Sequence, residues 1–204
     1  MNKTTKLTGE PWAVPDLRHA EMFLIRHAPV AGAGRLAGRL DLPADLSNHP
    51  GFSALAAHLP EGAMRTSSPA RRCLMTAEAL MPGLAVRTNE RLWEQDFGEW
   101  EGLDHTALPD LGALAPEALA DHRPPQGESF RDLCARTTPA LLDLARAGGT
   151  QIVIAHAGTV RAALALAIGS VAGALSFHVA PLSLTRFHVG PHGHWSVAEV
   201  NWQP

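Results

Sequence analysis

The 204-residue sequence has no tyrosine and only two cysteines, Cys73 and Cys134. Two cysteines cannot build a disulfide framework or, on their own, a cysteine-based zinc site. No stretch approaches the ~20 consecutive apolar residues of a membrane span. No apolar run follows Lys3 and Lys6, so the N-terminus does not read as a secretory signal. An excess of one charge is also missing: 17 Lys+Arg stand against 20 Asp+Glu, a formal net charge of −3. That balance excludes a protein that grips nucleic acid mainly through its phosphate backbone. Proline and glycine are not pooled into a linker, and there is no internal repeat. What is present is a 46% apolar fraction, enough for one buried core, and eleven histidines. The expectation is a cytoplasmic protein with a flexible tail over residues 1–20 and one domain over 21–204.

Short apolar runs alternate with helical patterns. Met22-Phe23-Leu24-Ile25, bounded by charge, reads as a buried parallel strand. Pro50 to Leu59 has helical spacing, and Ala63 to Thr66 is a second strand. Ser67-Ser68-Pro69 reads as a helix start, with a serine cap and proline at the first helical position, for a helix over Ala70 to Leu80. Leu84 to Thr88 is a weaker strand, and Glu94 to Arg123 an excursion across one face. Gly127-Glu128-Ser129 opens a long helix with an apolar stripe of Phe130, Leu133, Cys134, Leu141, Leu142 and Leu144. Pro139 should bend that helix or fall near a junction. Ile152 to Ala155 is the clearest buried strand, followed by a helix over Thr159 to Ile168. Leu182 to Val189 and Trp195 to Asn201 read as a hairpin. This order predicts a single three-layer α/β domain, its mixed, mostly parallel sheet covered by helices on both faces.

Sites in such sheets lie beyond the carboxyl ends of the strands. The first strand ends in Arg26-His27, the best buried strand in His156, and the second leads into a helix bearing Arg71 and Arg72. No metal-ligand spacing joins the histidines. Arginine suits phosphate, which it grips bidentately, better than it suits a neighbouring divalent cation. A neutral imidazole among such cations can attack phosphorus and form a covalent intermediate. The pattern points to phosphoryl transfer through phosphohistidine, without metal or cofactor.

Four motifs in order resemble the histidine phosphatase superfamily, the family of the cofactor-dependent phosphoglycerate mutases. They are Leu24-Ile25-Arg26-His27-Ala28, the run Ser68 to Ala77, the run Leu92 to Gly102, and Ile154 to Arg161. The resemblance implies that His27 is the nucleophile, that Arg26, Arg72 and His156 bind phosphate, and that Glu94 is the general acid. Asp96, Glu99 and Glu101 are rivals of Glu94 in the same segment, and Arg71 becomes a surface charge. Three further stretches, Gly38 to Pro43, Pro124 to Ser129 and Pro181 to Arg186, resemble the α-ribazole-5′-phosphate phosphatase branch, which serves cobalamin assembly. The first motif departs from the family: the Thr or Ser and the Asn that usually follow are replaced by Ala28-Pro29-Val30-Ala31. Arg39 or backbone N–H groups are the expected substitutes.

The reaction so implied is hydrolysis of a small phosphomonoester. Phosphoglycerate mutase is the second reading, and a degenerate phosphate-binding regulator is a third. The expected partner is a small phosphorylated metabolite, with no nucleic acid or membrane, and the chain a monomer or homodimer. Cys73, His192 and His194 are expected to be structural or solvated. Trp93, Trp100 and Trp195 are core or mouth residues.

Overall fold

A computed structural model describes residues 19–32 and 34–204. The tail expected over 1–20 lies outside these up to residue 18, and Ala20 already belongs to the first strand. Six strands, β1 (Ala20–Arg26), β2 (Met64–Ser67), β3 (Arg87–Thr88), β4 (Gly149–Ala155), β5 (Leu184–Val189) and β6 (Trp195–Trp202), form one sheet in the order β3-β2-β4-β1-β5-β6. β1, β2, β3 and β4 run parallel, while β5 and β6 add antiparallel at one edge as the expected hairpin. The sheet carries α1 (His49–Ala56), α2 (Arg71–Leu80), α3 (Pro116–Asp121), α4 (Phe130–Ala147), α5 (Ala157–Ile168) and the short α6 (Val171–Ala174).

The two-residue period of the central strands builds two cores. Met22 and Leu24 of β1 with Val153 and Ala155 of β4 pack against Leu133, Leu141 and Leu164 of α4 and α5. Phe23, Ile25, Ile152 and Ile154 face the other way onto Leu55, Cys73 and Ala77 of α1 and α2. The chain therefore leaves β1 towards one face and β4 towards the other, and a crevice opens between their carboxyl ends.

Two local expectations are corrected and a third, on Pro139, is narrowed. Ala70 caps α2 with no side-chain hydrogen bond, and Pro69 precedes the helix; Ser68 is drawn off to a histidine described below. Pro139 lies inside the continuous 18-residue α4 rather than at a junction. The buried stripe of α4 passes through Thr137, Ala140 and Ala145, with Leu142 and Leu144 only partly buried beside it. Its start is as read: Ser129 Oγ accepts from the Asp132 amide while Asp132 accepts from the Ser129 amide, a reciprocal cap.

Candidate active site

β1 and β4 are paired in register through Arg26 and Ala155, so the residues that follow, His27 and His156, emerge side by side. Their ring centroids are 5.2 Å apart. The His27 amide donates to the Ala155 carbonyl at 2.9 Å, and the Ala28 amide to Thr76 Oγ1 at 3.0 Å. The Leu182 amide, at a positive φ of 59°, reaches the carbonyls of both Arg26 and His27. The backbone around His27 is thus held from three sides.

The ring partners fix the tautomer. His27 Nδ1 lies 2.6 Å from the Ala28 carbonyl, which can only accept, and Arg72 Nε–H, which can only donate, points at Nε2 from 3.2 Å. Nδ1 therefore carries the proton and Nε2 the lone pair. Burial and the adjacent Arg72 push the His27 pKa down to about 3, so the ring is neutral at ordinary pH. His156 is fully buried and likewise held neutral, first by burial and then by His27 and Arg72. It accepts from Arg72 Nη2 at Nδ1 (3.2 Å), which leaves Nε2–H to donate to Ser68 Oγ at 2.8 Å.

Arg72 is 1% exposed. Beyond the two histidines it donates to the carbonyls of Leu40 (2.9 Å) and Gly38 (2.6 Å). Arg26 donates to the Val179 carbonyl at 2.7 Å, while its buried Nε–H has no partner. Both cations border a cavity of about 350 Å³ with His27 at its base and Glu94 on its wall. Glu94 Oε1 accepts from the Gly158 and Gln95 amides at 3.2 and 3.0 Å. Arg136 of α4 steadies the segment before it, donating to the carbonyls of Arg91, Trp93 and Glu94.

The rivals of Glu94 are employed elsewhere. Asp96 accepts from the Gly98 amide, Glu99 from Gln126, and Glu101 from the amides of Arg39 and Phe97. None lines the cavity. Arg71 is exposed, its amide bonded to Asp41. Arg39 does not border the cavity either: its guanidinium is held by the Glu94 carbonyl and lies 3.7 Å from Glu128. The loop after His27 contributes Pro29, Val30 and residues 34–38 to the wall. His156 sits beneath Arg72 rather than on the cavity surface. Cys73 is buried behind it, with burial keeping its thiol protonated. Trp195 is core, Trp93 lies parallel to the His156 ring, and Trp100 stacks on His122. His192 and His194 are exposed.

Sequence reasoning missed Ser68 as the partner of His156, the Gly38 and Leu40 carbonyls as the seat of Arg72, and Arg161, which lines the cavity from α5. Only Arg161 carried a signal, its place within the fourth motif, one helical turn past Gly158.

The glucosyl-3-phosphoglycerate phosphatase of Mycobacterium tuberculosis is 31% identical over 168 residues, covering 72% of this chain and 74% of that relative. A solved mycobacterial glucosyl-3-phosphoglycerate phosphatase in complex with VO3 superposes with a TM-score of 0.75 at 27% identity, over 89% of this chain and 98% of that one. A protein described as an alpha-ribazole-5'-P phosphatase from Escherichia coli shares the fold, with a TM-score of 0.76, 20% identity and coverage of 90% and 96% of the two chains. The family model of the histidine phosphatase superfamily, branch 1, matches residues 22–203. The chain belongs to that superfamily and is a phosphoric monoester hydrolase.

Proposed function

We propose that the chain hydrolyses a small phosphomonoester through a phosphohistidine at His27, without a metal. The observation that carries this reading is the lone pair at Nε2 of the neutral His27 ring, set among Arg26 and Arg72 in a cavity whose one lining carboxylate among the described residues is Glu94.

A bound phosphoryl group takes over the hydrogen bond that Arg72 Nε now gives to His27 and satisfies the orphaned Arg26 Nε–H. Nε2 then attacks phosphorus, forming the P–N bond as the ester P–O bond breaks. The two arginines meet the charge on the non-bridging oxygens, the main source of rate enhancement in phosphoryl transfer. The Ala28 carbonyl, accepting from Nδ1–H, supports the positive charge that develops on the imidazole. Glu94 gives its proton to the leaving oxygen. A water molecule then attacks phosphorus, Glu94 takes its proton back from that water, and the P–N bond breaks to release phosphate and neutral His27. His156 acts by holding Arg72, so it is a positioning residue.

The stretches that resemble the α-ribazole branch have structural work in this chain. Gly38 and Leu40 seat Arg72, Ser129 caps α4, and Leu182 holds the backbone at His27. Such work serves any phosphomonoester, so α-ribazole-5′-phosphate is one member of the panel to be tried rather than the expected winner. Release of inorganic phosphate from that panel, with no label moved from 2,3-bisphosphoglycerate to monophosphoglycerate, supports hydrolysis over mutase activity. His27→Ala abolishes release; full activity in that variant contradicts the reading.

A further inference from the structure

Arg26 is held by one loop, residues 179–183, at both its backbone and its head. Its amide donates to the Ser183 carbonyl at 3.1 Å, its carbonyl accepts from the Leu182 amide, and its Nη1 donates to the Val179 carbonyl. The loop also lends Pro181 to the cavity wall. What orients the loop comes from the edge of the sheet. Asn201 of β6 accepts from the Ala180 amide at Oδ1, 2.6 Å away. That N–H and the Val179 carbonyl belong to the same peptide unit, and both residues are buried. One planar group therefore stands between the Asn201 side chain and the Arg26 guanidinium, and it cannot turn without breaking a hydrogen bond on one side or the other. Engaging its N–H also makes its oxygen a stronger acceptor for Arg26. The backbone of Asn201 is unusual: its φ is +54°, the left-handed region that asparagine tolerates better than most residues. Leu184 pairs with Trp202 and Arg186 with Glu199, so Val200 and Asn201 both stand opposite Thr185, an extra residue in the edge strand. The buried Thr185 catches the displaced Asn201 amide at Oγ1, 3.2 Å away. Such irregularities re-aim a side chain, and here the side chain is aimed at the peptide that seats Arg26.

We propose that Asn201 is a positioning residue for the phosphoryl group: acting through the peptide between Val179 and Ala180, it sets the Arg26 guanidinium where the non-bridging oxygens will lie. Asn201 does not itself border the cavity. It rests on the phosphatase reading above and deepens it. Every phosphomonoester carries the group that Arg26 meets, so the effect of Asn201 is blind to the leaving alcohol, unlike that of Glu94.

The test measures kcat/KM for p-nitrophenyl phosphate and glycerol 3-phosphate, and the inhibition constant of inorganic phosphate. The proteins compared are the wild type, Asn201→Gly, Asn201→Asp, Arg26→Gln and the double variant Arg26→Gln with Asn201→Gly. Glycine takes the left-handed backbone without strain and deletes the acceptor, whereas aspartate keeps an acceptor of the same length. Asn201→Ser, whose hydroxyl is one atom too short for the contact, serves in place of Asn201→Gly if the glycine variant does not fold. A misplaced binding group costs up to about 100-fold, so Asn201→Gly should lower kcat/KM by about 10- to 100-fold on both esters alike. It should weaken inhibition by phosphate as well, and Asn201→Asp should restore most of both. Beside Arg26→Gln, Asn201→Gly should cost less than about twofold more, because the two act as one unit. A lower urea midpoint with unchanged kcat/KM and phosphate inhibition in the folded protein, or a loss that persists in full beside Arg26→Gln, overturns the proposal and leaves the phosphatase reading standing. A wild-type protein that hydrolyses no phosphomonoester overturns both.

Discussion

Two imidazoles at the edge of the sheet are both held neutral, first by burial, and their hydrogen bonds separate their work. His27 keeps its lone pair towards the cavity, whereas His156 spends both nitrogens on Arg72 and Ser68. Folding holds His27 neutral down to about pH 3, while an unfolded histidine takes up a proton near pH 6.5. Between those values the unfolded chain binds more protons, so stability is complete above pH 6.5 and falls as the pH is lowered towards 3. The slope is at most about 1.4 kcal/mol per pH unit from each such histidine. His156 adds in the same direction. Urea midpoints measured from about pH 7 to about pH 4.5 should fall more gently in His27→Asn than in the native sequence; equal slopes would show that His27 is not buried neutral. At Glu94, replacement by Gln removes the proton donor. The loss should be about 100-fold or more on alkyl phosphates, and much smaller on p-nitrophenyl phosphate, whose leaving group needs no proton. A uniform loss would place Glu94 in binding instead.

Loops and helix starts hold these residues, and here sequence was a partial guide. The Gly38 carbonyl accepts from Arg72, its φ is +50°, and an added Cβ would run into the Glu101 carboxylate that fastens the next amide. Gly38→Ala should therefore displace the seat of Arg72 and lower kcat/KM by at least about tenfold; an unchanged value would mean the seat is dispensable. A single glycine in a loop gives no advance sign of this, because the constraint comes from a carboxylate sixty residues away. The opposite case is Ser129. Its cap was legible from Ser129 and the apolar run that follows, since capping is local. Ser129→Ala should cost about 1 kcal/mol of stability with KM unchanged, measured by urea denaturation. The serines before α2 had the same local appearance, yet Ser68 serves His156 from the far side of the sequence. A local rule fails where a distant residue competes for the same hydroxyl.

Across the whole molecule, the strands and the layer order followed from the apolar periodicity, because two central strands buried on both faces leave an unmistakable pattern. His27, His156, Arg26 and Arg72 followed too, since strand ends at a crevice are where such a fold gathers its chemistry. Arg39 was expected at the phosphate and Arg161 was given no role: only side-chain packing shows that the first lies beside Glu128 and that the second borders the cavity. Leu141 lies fully buried in the core between α4 and the sheet. Leu141→Ala should cost about 2–5 kcal/mol while leaving the geometry at His27 intact, so that the surviving folded fraction retains its kcat. The central claim is covalent chemistry at His27, and it is tested most directly by acid-free rapid quenching of the protein during turnover of a phosphate-labelled ester, followed by peptide mapping. Label attached to the peptide that contains His27, and absent from His27→Asn, is the expected result. Steady turnover with no label on the protein at any time point, or label on another residue, would contradict it.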